Sequence, residues 1–461
     1  LELEFDFLGK AVDGFVVADL DQGAQAQGRK EGRARDVVVG DVLELGAGHV
    51  EGQAEQRDAD TFDETLYRGL EFRLVVIVVA VHARCHQHAA DVDGLDPELF
   101  RAGFHQAASD ILIRPVDGIE RIFGIPLYLD TLALYLNKNM LNDALNRTSP
   151  RSLWSDFRRD ATVLAERDPE NGELIKSAVA MGAGTSIIHA ADIMAMLFVQ
   201  YGADVFDDER ERAILAERQS SDRLLNTKDP GIDAFALYTG FGDAKQPEYS
   251  WHAGMTNGSE HKELAAFLRG EVAMIFGYSD LEDRLTVVYE ELRGEGERGL
   301  INLDDIRHAK APQPDPENDR NAEKYVSLAK MQPFFVSTKS EHPRTAWQFV
   351  KHLGSPESAS SYTEQTGRPS AQRALTDETL AASSGRDLKK RHLFARQAIE
   401  ARPLMTGEPA DFATIILAAA DQVASGEKSP RAALSQAQER LQCVLERSIQ
   451  GDATKVGCTD L

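Results

Sequence analysis

The sequence predicts an α/β chain folded as two lobes, with a helical C-terminal part and an anomalous N-terminal segment. Three observations carry this. At 461 residues the chain exceeds what one hydrophobic core ordinarily organises. From about Asp110 onward, apolar residues at helical spacing alternate with short runs rich in β-branched and aromatic residues. The run Phe123 to Asn139, FGIPLYLDTLALYLNKN, opens on a Gly-Ile-Pro corner and closes on Asn137, Lys138 and Asn139. Its apolar, aromatic character favours a strand.

Composition bounds the function. A hydrophobic fraction of 42% is that of a soluble globular protein. A net charge of −24 and a pI near 5.0 exclude a nucleic-acid binder, which needs a basic face to neutralise phosphates. The longest apolar run, Leu74 to Val81, is strand-sized and too short to span a membrane. Cys85, Cys443 and Cys458 give no disulfide framework. No signal peptide is legible at Leu1, which is not a Met; the chain starts inside a longer reading frame or after processing.

Residues 1–110 form an atypical segment. No serine precedes Ser109, no asparagine precedes Asn137, and Pro97 is the only proline before Pro115. Domains ordinarily build turns from these residues. Two readings are open: a domain of unusual composition, or coding sequence read out of frame. His82, Cys85 and His88 have ligand-type spacing, but no second pair follows, so no metal site is assigned.

The elements after Asp110 follow in order. Trp154 to Arg167 has helical periodicity, with Ser152 as its expected N-cap. Asp168 to Gly172 is a turn that lacks the alternating oxygens of a calcium loop. Ser186 to Tyr201 is an apolar helix containing Asp192, and Asp229 to Tyr238 is another. Lys262 to Leu268 is a short helix ending at Gly270, where a left-handed residue costs little. Glu271 to Tyr278 is a strand. Arg344 to Leu353 is amphipathic, and the stretches 388–401, 411–423 and 431–449 are further helices. Trp154 and Trp347 lie on helices and are expected in cores.

Several motifs in this order carry a resemblance. They are Gly-Ile-Pro-Leu-Tyr-x-Asp-Thr-Leu-Ala-Leu-Tyr-x-Asn-Lys from Gly124, Phe-Leu-Arg-Gly-Glu-Val-Ala-Met from Phe267, Phe334-Phe335-Val336-Ser337, Ala346-Trp347-Gln348-Phe349, and Gly367-Arg368-Pro369-Ser370-Ala371. Over about residues 120–375 the chain resembles the family 1 extracellular solute-binding proteins, the sugar receptors of ABC importers. The resemblance implies a two-lobed, periplasmic-binding-protein-like fold of type II. It implies a lobe crossing near 123–139, a second lobe over about 140–340, and a return with C-terminal helices over 341–461. It further implies a monomer outside the cytoplasm, periplasmic or anchored at the cell surface as a lipoprotein, with ABC permease subunits as partners and no cofactor. Residues 1–110 match none of the family's first lobe.

A pyranose has an apolar C–H face and a polar rim, so rings and carboxylates suit it. The candidate ligand contacts are Tyr128, Asp130, Asp192, Tyr249, Trp251, Gly277, Tyr278 and Arg368. Gly277 would let a ligand approach the backbone. Six of the eight have a structural alternative: Tyr128 and Asp130 as a satisfied strand-end pair, Asp192 on a neighbouring helix terminus, Trp251 as packing at the lobe junction, Tyr278 on a backbone carbonyl, Arg368 paired with Glu364. If Trp251 faces the ligand, its replacement by Ala weakens binding with little change in melting temperature. Two other functions compete. One is a scaffold that has lost its ligand. The other is a glycosidase, for which Asp204, Asp207 and Asp208 are close together but read as a solvated loop. No nucleophile elbow, P-loop or His-Glu-x-x-His is present. The expected function is therefore a non-catalytic sugar receptor.

Overall fold

A computed structural model describes residues 87–89, 95–219, 227–315, 325–382, 388–450 and Cys458. The strands are β1 (Gln87–His88), β2 (Ile113–Val116), β3 (Ile119–Ile122), β4 (Gly124–Asp130), β5 (Ala133–Asn137), β6 (Glu166–Arg167), β7 (Leu174–Val179), β8 (Val272–Gly277), β9 (Ile306–Lys310), β10 (Ser327–Leu328), β11 (Lys330–Ser337) and β12 (Ala401–Arg402). The helices are α1 (Pro97–Gly103), α2 (Gln106–Leu112), α3 (Lys138–Leu145), α4 (Trp154–Leu164), α5 (Ala190–Tyr201), α6 (Pro230–Gly240), α7 (Glu263–Leu268), α8 (Leu281–Gly294), α9 (Pro343–Leu353), α10 (Pro356–Thr366), α11 (Arg373–Ala381), α12 (Leu388–Ile399), α13 (Pro409–Ala424) and α14 (Pro430–Gln450).

The apolar run at 123–139 serves two sheets. Its first half, β4, pairs antiparallel with β11, whose other edge takes β1. Its second half, β5, sits between β8 and β9 in a five-stranded sheet ordered β6-β7-β8-β5-β9. Thr131 and Leu132 make the switch, both fully buried. Every residue of β4 and of β5 is buried, which explains why neither half shows the polar alternation of a half-exposed strand. Asn137 ends the run by capping α3, its side chain accepting from the backbone N–H of Asn139 and Met140.

Lobe one is built on the β1-β11-β4 sheet, with a core of Phe100, Leu112, Ile125, Val336, Trp347 and Val350. The compositional change near residue 110 has no counterpart in this packing, because α2 runs through it and buries Ala107, Ala108 and Leu112. The strand β11, expected within the second lobe, pairs here. Lobe two surrounds the five-stranded sheet; its core includes Tyr135, Trp154, Phe157, Phe198, Trp251 and Phe267. The C-terminal helices α13 and α14 also pack on it, through Ile415, Ile416, Leu434 and Leu441.

Some local expectations shift. Ser152 does not cap α4; Leu153 occupies the N-cap without a side-chain bond, because the Ser152 carbonyl is drawn into pairing with Gln313 N–H at 2.7 Å. The helix expected from Ser186 starts at Ala190. Residues before it are held instead by carboxylates: Asp421 accepts from Gly184 N and Thr185 N at 2.6 and 3.0 Å, and Glu263 accepts from Ile188 N at 2.9 Å. Asp168 accepts from Glu170 N and Asn171 N, making the expected turn. Gly270 adopts φ +73° after α7, as its position required.

Helix α12 lies against both β4 and β9 and so spans the junction. From it, Gln397 Nε2 donates to Thr131 Oγ1 at 2.7 Å and to the Leu132 carbonyl at 2.9 Å. All of these groups are buried. A disulfide joins Cys443 to Cys458, where three cysteines gave no disulfide framework to read. Spacing alone does not reveal which two of three cysteines pair. Among the described residues no helix is long and apolar enough to cross a membrane. His82 and Cys85 lie outside the described residues, and no group of His, Cys, Asp and Glu within the described residues could hold a metal ion.

Candidate ligand-binding site at the lobe junction

The strand ends of β4 and β8 meet where the chain passes between lobes. Asp130, the last residue of β4, is fully buried and accepts from Ser279 Oγ at 2.5 Å, Ser279 N at 3.1 Å and Thr131 N at 2.8 Å. Burial pushes its carboxyl up to about 6, against the opposing pull of the Ser279 and Thr131 hydrogen bonds. In this arrangement Asp130 presents no surface to a ligand. It ties the turn after β8 to the end of β4, and so places Tyr278 and Asp280.

Two tyrosine rings line the junction, each covered by a cation from lobe one. Tyr128 on β4 carries Arg368 over its face at 4.6 Å and stacks on Tyr362 with centroids 6.1 Å apart. Arg368 in turn donates to Asp280 of lobe two at 2.9 Å, not to Glu364. Tyr278, which is 3% exposed, carries Lys330 over its face at 4.2 Å and takes the edge of His189 at 5.1 Å. Lys330 Nζ lies 3.6 Å from Asp192 Oδ2, and His189 Nδ1 lies 3.4 Å from the same oxygen. Burial pushes the Asp192 carboxyl up, but the His189 hydrogen bond and the Lys330 charge outweigh it and hold it below the usual range. The buried Tyr278 hydroxyl lies beside the Asp192 carboxylate. The Tyr278 carbonyl accepts from Tyr135 Oη at 2.6 Å. Burial raises the Tyr128 hydroxyl to about 12, so it remains protonated.

Tyr128, Asp130, Asp192, Tyr278 and Arg368 are thus brought together, through contacts that cross between the lobes. The other candidates are placed otherwise. Trp251 is fully buried in the lobe-two core, its indole N–H donating to Ser186 Oγ at 3.1 Å. A ring with no exposed face cannot stack on a sugar, so its role here is packing. Tyr249 is half-buried beneath Arg167 of β6, at the far edge of the five-stranded sheet. Gly277 has no room for a ligand. A Cβ there would meet the Leu281 side chain at 2.2 Å, so the glycine serves the close packing of α8 on β8.

Sequence reasoning missed Lys330, His189, Asp280 and Ser279. The Ser279-Asp280 pair directly after a strand-end tyrosine was a readable signal. Lys330 had none: it faces Asp130 only because β11 pairs with β4 in that register. Two surface pockets of about 380 and 370 Å³ lie elsewhere, one bordered by Arg158, Asp233 and Glu248, the other by His261, Arg284 and Val287. Neither includes a junction residue.

Residues 78–384 match the model of the bacterial extracellular solute-binding proteins, a longer stretch than the motifs alone indicated. Among solved structures, the chain is similar to the sugar-binding protein MalE from Xanthomonas citri, at 14% identity and a TM-score of 0.56, covering 80% of this chain and 82% of that one. It is similar to the cyclic α-maltosyl-1,6-maltose binding protein from Arthrobacter globiformis, at 15% identity and 0.54, covering 78% and 81%. It is also similar to the GacH receptor of Streptomyces glaucescens, solved unliganded and with acarbose, at 18% and 0.53, covering 78% and 79%. These likenesses establish a shared two-lobed fold. No curated protein matches the chain. By the extent of the match, the chain belongs to the bacterial extracellular solute-binding protein family.

Proposed function

We propose that this protein is the receptor of an ABC importer, taking a sugar or oligosaccharide between its lobes and presenting it to the permease outside the cytoplasm. The observation that carries this reading is the pair of tyrosine faces, Tyr128 and Tyr278, set beside the carboxylates Asp280 and Asp192 at the lobe junction. Rings supply the apolar face and carboxylates the rim that a pyranose requires. Lobe movement about Thr131–Leu132 would open and close this site. Neighbours of the same fold bind acarbose and a cyclic maltosyl-maltose, which supports a carbohydrate ligand. The Cys443–Cys458 disulfide supports an oxidising location, periplasmic or on the cell surface. The receptor acts as a monomer, without catalysis.

A titration of melting temperature against a panel of mono- and oligosaccharides tests this. A true ligand at one hundred times its Kd stabilises the folded state by about 2.7 kcal/mol. A scaffold without ligand shows no shift with any sugar. That second reading draws on one observation: both ring faces are already covered by the protein's own cations.

A further inference from the structure

The Tyr278 corner is built like a receptor for an ammonium group, and it already holds one. Lys330 Nζ sits 4.2 Å above the ring centroid and 3.6 Å from the Asp192 carboxylate, the combination of ring face and anion that attracts a cation. The covering group is tethered loosely. The Lys330 side chain is 46% exposed, whereas Tyr278 beneath it is 3% exposed. Withdrawing this one flexible side chain into solvent therefore frees the ring face beneath it and leaves the Asp192 carboxylate, already 34% exposed, without its lysine. The local charges favour a cationic replacement. Asp280 is matched by Arg368 and Asp130 is held by Ser279, so Asp192, flanked by His189, loses its full cationic partner when Lys330 leaves.

We propose that the ligand is an amino-substituted saccharide, and that Lys330 stands in for its ammonium group in the unliganded protein. This rests on the sugar-receptor reading above. Binding exchanges one ammonium for another over Tyr278, so the aromatic face and Asp192 stay satisfied in both states.

The test uses the whole chain and a matched series by isothermal titration: glucosamine oligomers of two to four units, their N-acetylated forms, and the cello-oligosaccharides that carry a hydroxyl at the same carbon. Malto-oligosaccharides are added as a differently linked neutral series. The free-amine oligomers are expected to bind about ten-fold more tightly than either matched neutral series, the scale of one partly desolvated cation–ring contact. Asp192→Asn is expected to erase that preference. Lys330→Ala, at an exposed side chain, is expected to tighten amine binding by removing the internal competitor. Equal or tighter binding of a neutral series overturns the amine proposal and leaves the sugar reading standing. So does a Lys330→Ala variant that binds the amine series more weakly, which would make the lysine a ligand contact. Failure of every saccharide to bind overturns both.

Discussion

Replacing Trp251 by Ala separates a packing role from a ligand-facing one. The ring has no exposed surface and its N–H is satisfied by Ser186 at 3.1 Å. Truncating a buried tryptophan costs about 3–5 kcal/mol through lost transfer energy and the cavity left behind. That is a large share of a stability of roughly 5–15 kcal/mol. At about 2–4 °C per kcal/mol for a unit of this size, the melting temperature should fall by on the order of 10 °C. Trp251→Phe keeps most of the apolar area and loses the hydrogen bond, so about 1–2 kcal/mol is expected. Urea denaturation should show a lower midpoint with an unchanged slope. Sugar affinity, measured well below the variant's melting temperature, should stay close to that of the parent. A variant with a melting temperature within about 2 °C of the parent and abolished sugar binding would refute the reasoning, since it would show the indole facing the ligand.

Other expectations follow from buried polar groups and close contacts. Asp130 and Glu263 carry carboxyls raised to about 6 and about 7 by burial; both bind protons more tightly folded than unfolded. Their penalty is therefore complete above about pH 7 and is relieved as pH falls through 7 and 6. Glu282 works oppositely. Burial pushes it up, but His308 and Lys390 outweigh that and hold it at about 2, so its contribution is full above about pH 5 and is lost progressively as pH falls through about 2. Calorimetry should show a melting temperature that rises from pH 8 to pH 5, and Asp130→Asn should remove the part of that rise centred near 6; a fall over this range contradicts the assignment. Gly184→Ala places a Cβ 2.2 Å from the Leu417 carbonyl and 2.9 Å from the Asp421 carboxylate, and overpacking of this kind costs roughly 1–3 kcal/mol; an unchanged urea midpoint would show that α13 is not locked against this loop. Gln397→Ala strands the Thr131 hydroxyl and the Leu132 carbonyl at the switch between sheets, at about 1–3 kcal/mol for each buried group left unpaired, to be read by thermal denaturation. Reducing Cys443–Cys458, with a sequence separation of 15, should remove roughly 3 kcal/mol in the chain-entropy account; an identical melting curve with and without reductant argues that the bridge constrains little.

Much of the fold was legible because its signals are local. The helices around Phe157, Trp347 and Ile415 show in residue spacing, since one buried face imposes the helical period on the sequence. Gly270 marks a chain reversal by its own backbone freedom. The junction was only partly legible. Tyr128, Tyr278 and Arg368 stood in recognisable motifs and do converge. Trp251 had equal appeal as a ring near a turn, but whether a ring faces a cleft or a core depends on what packs above it, here the loop bearing Ser186.

By itself, then, the sequence determined an α/β chain, a crossing run at 123–139, most helices, and its kinship with the solute-binding receptors. Tertiary structure decided that this run splits between two sheets at Thr131, and that Lys330 of one lobe covers Tyr278 of the other. It also paired Cys443 with Cys458. The physical reason is range. Periodicity and capping act over a few residues, whereas strand register, the partner of a buried charge and the pairing of distant thiols are settled only when far segments of chain meet.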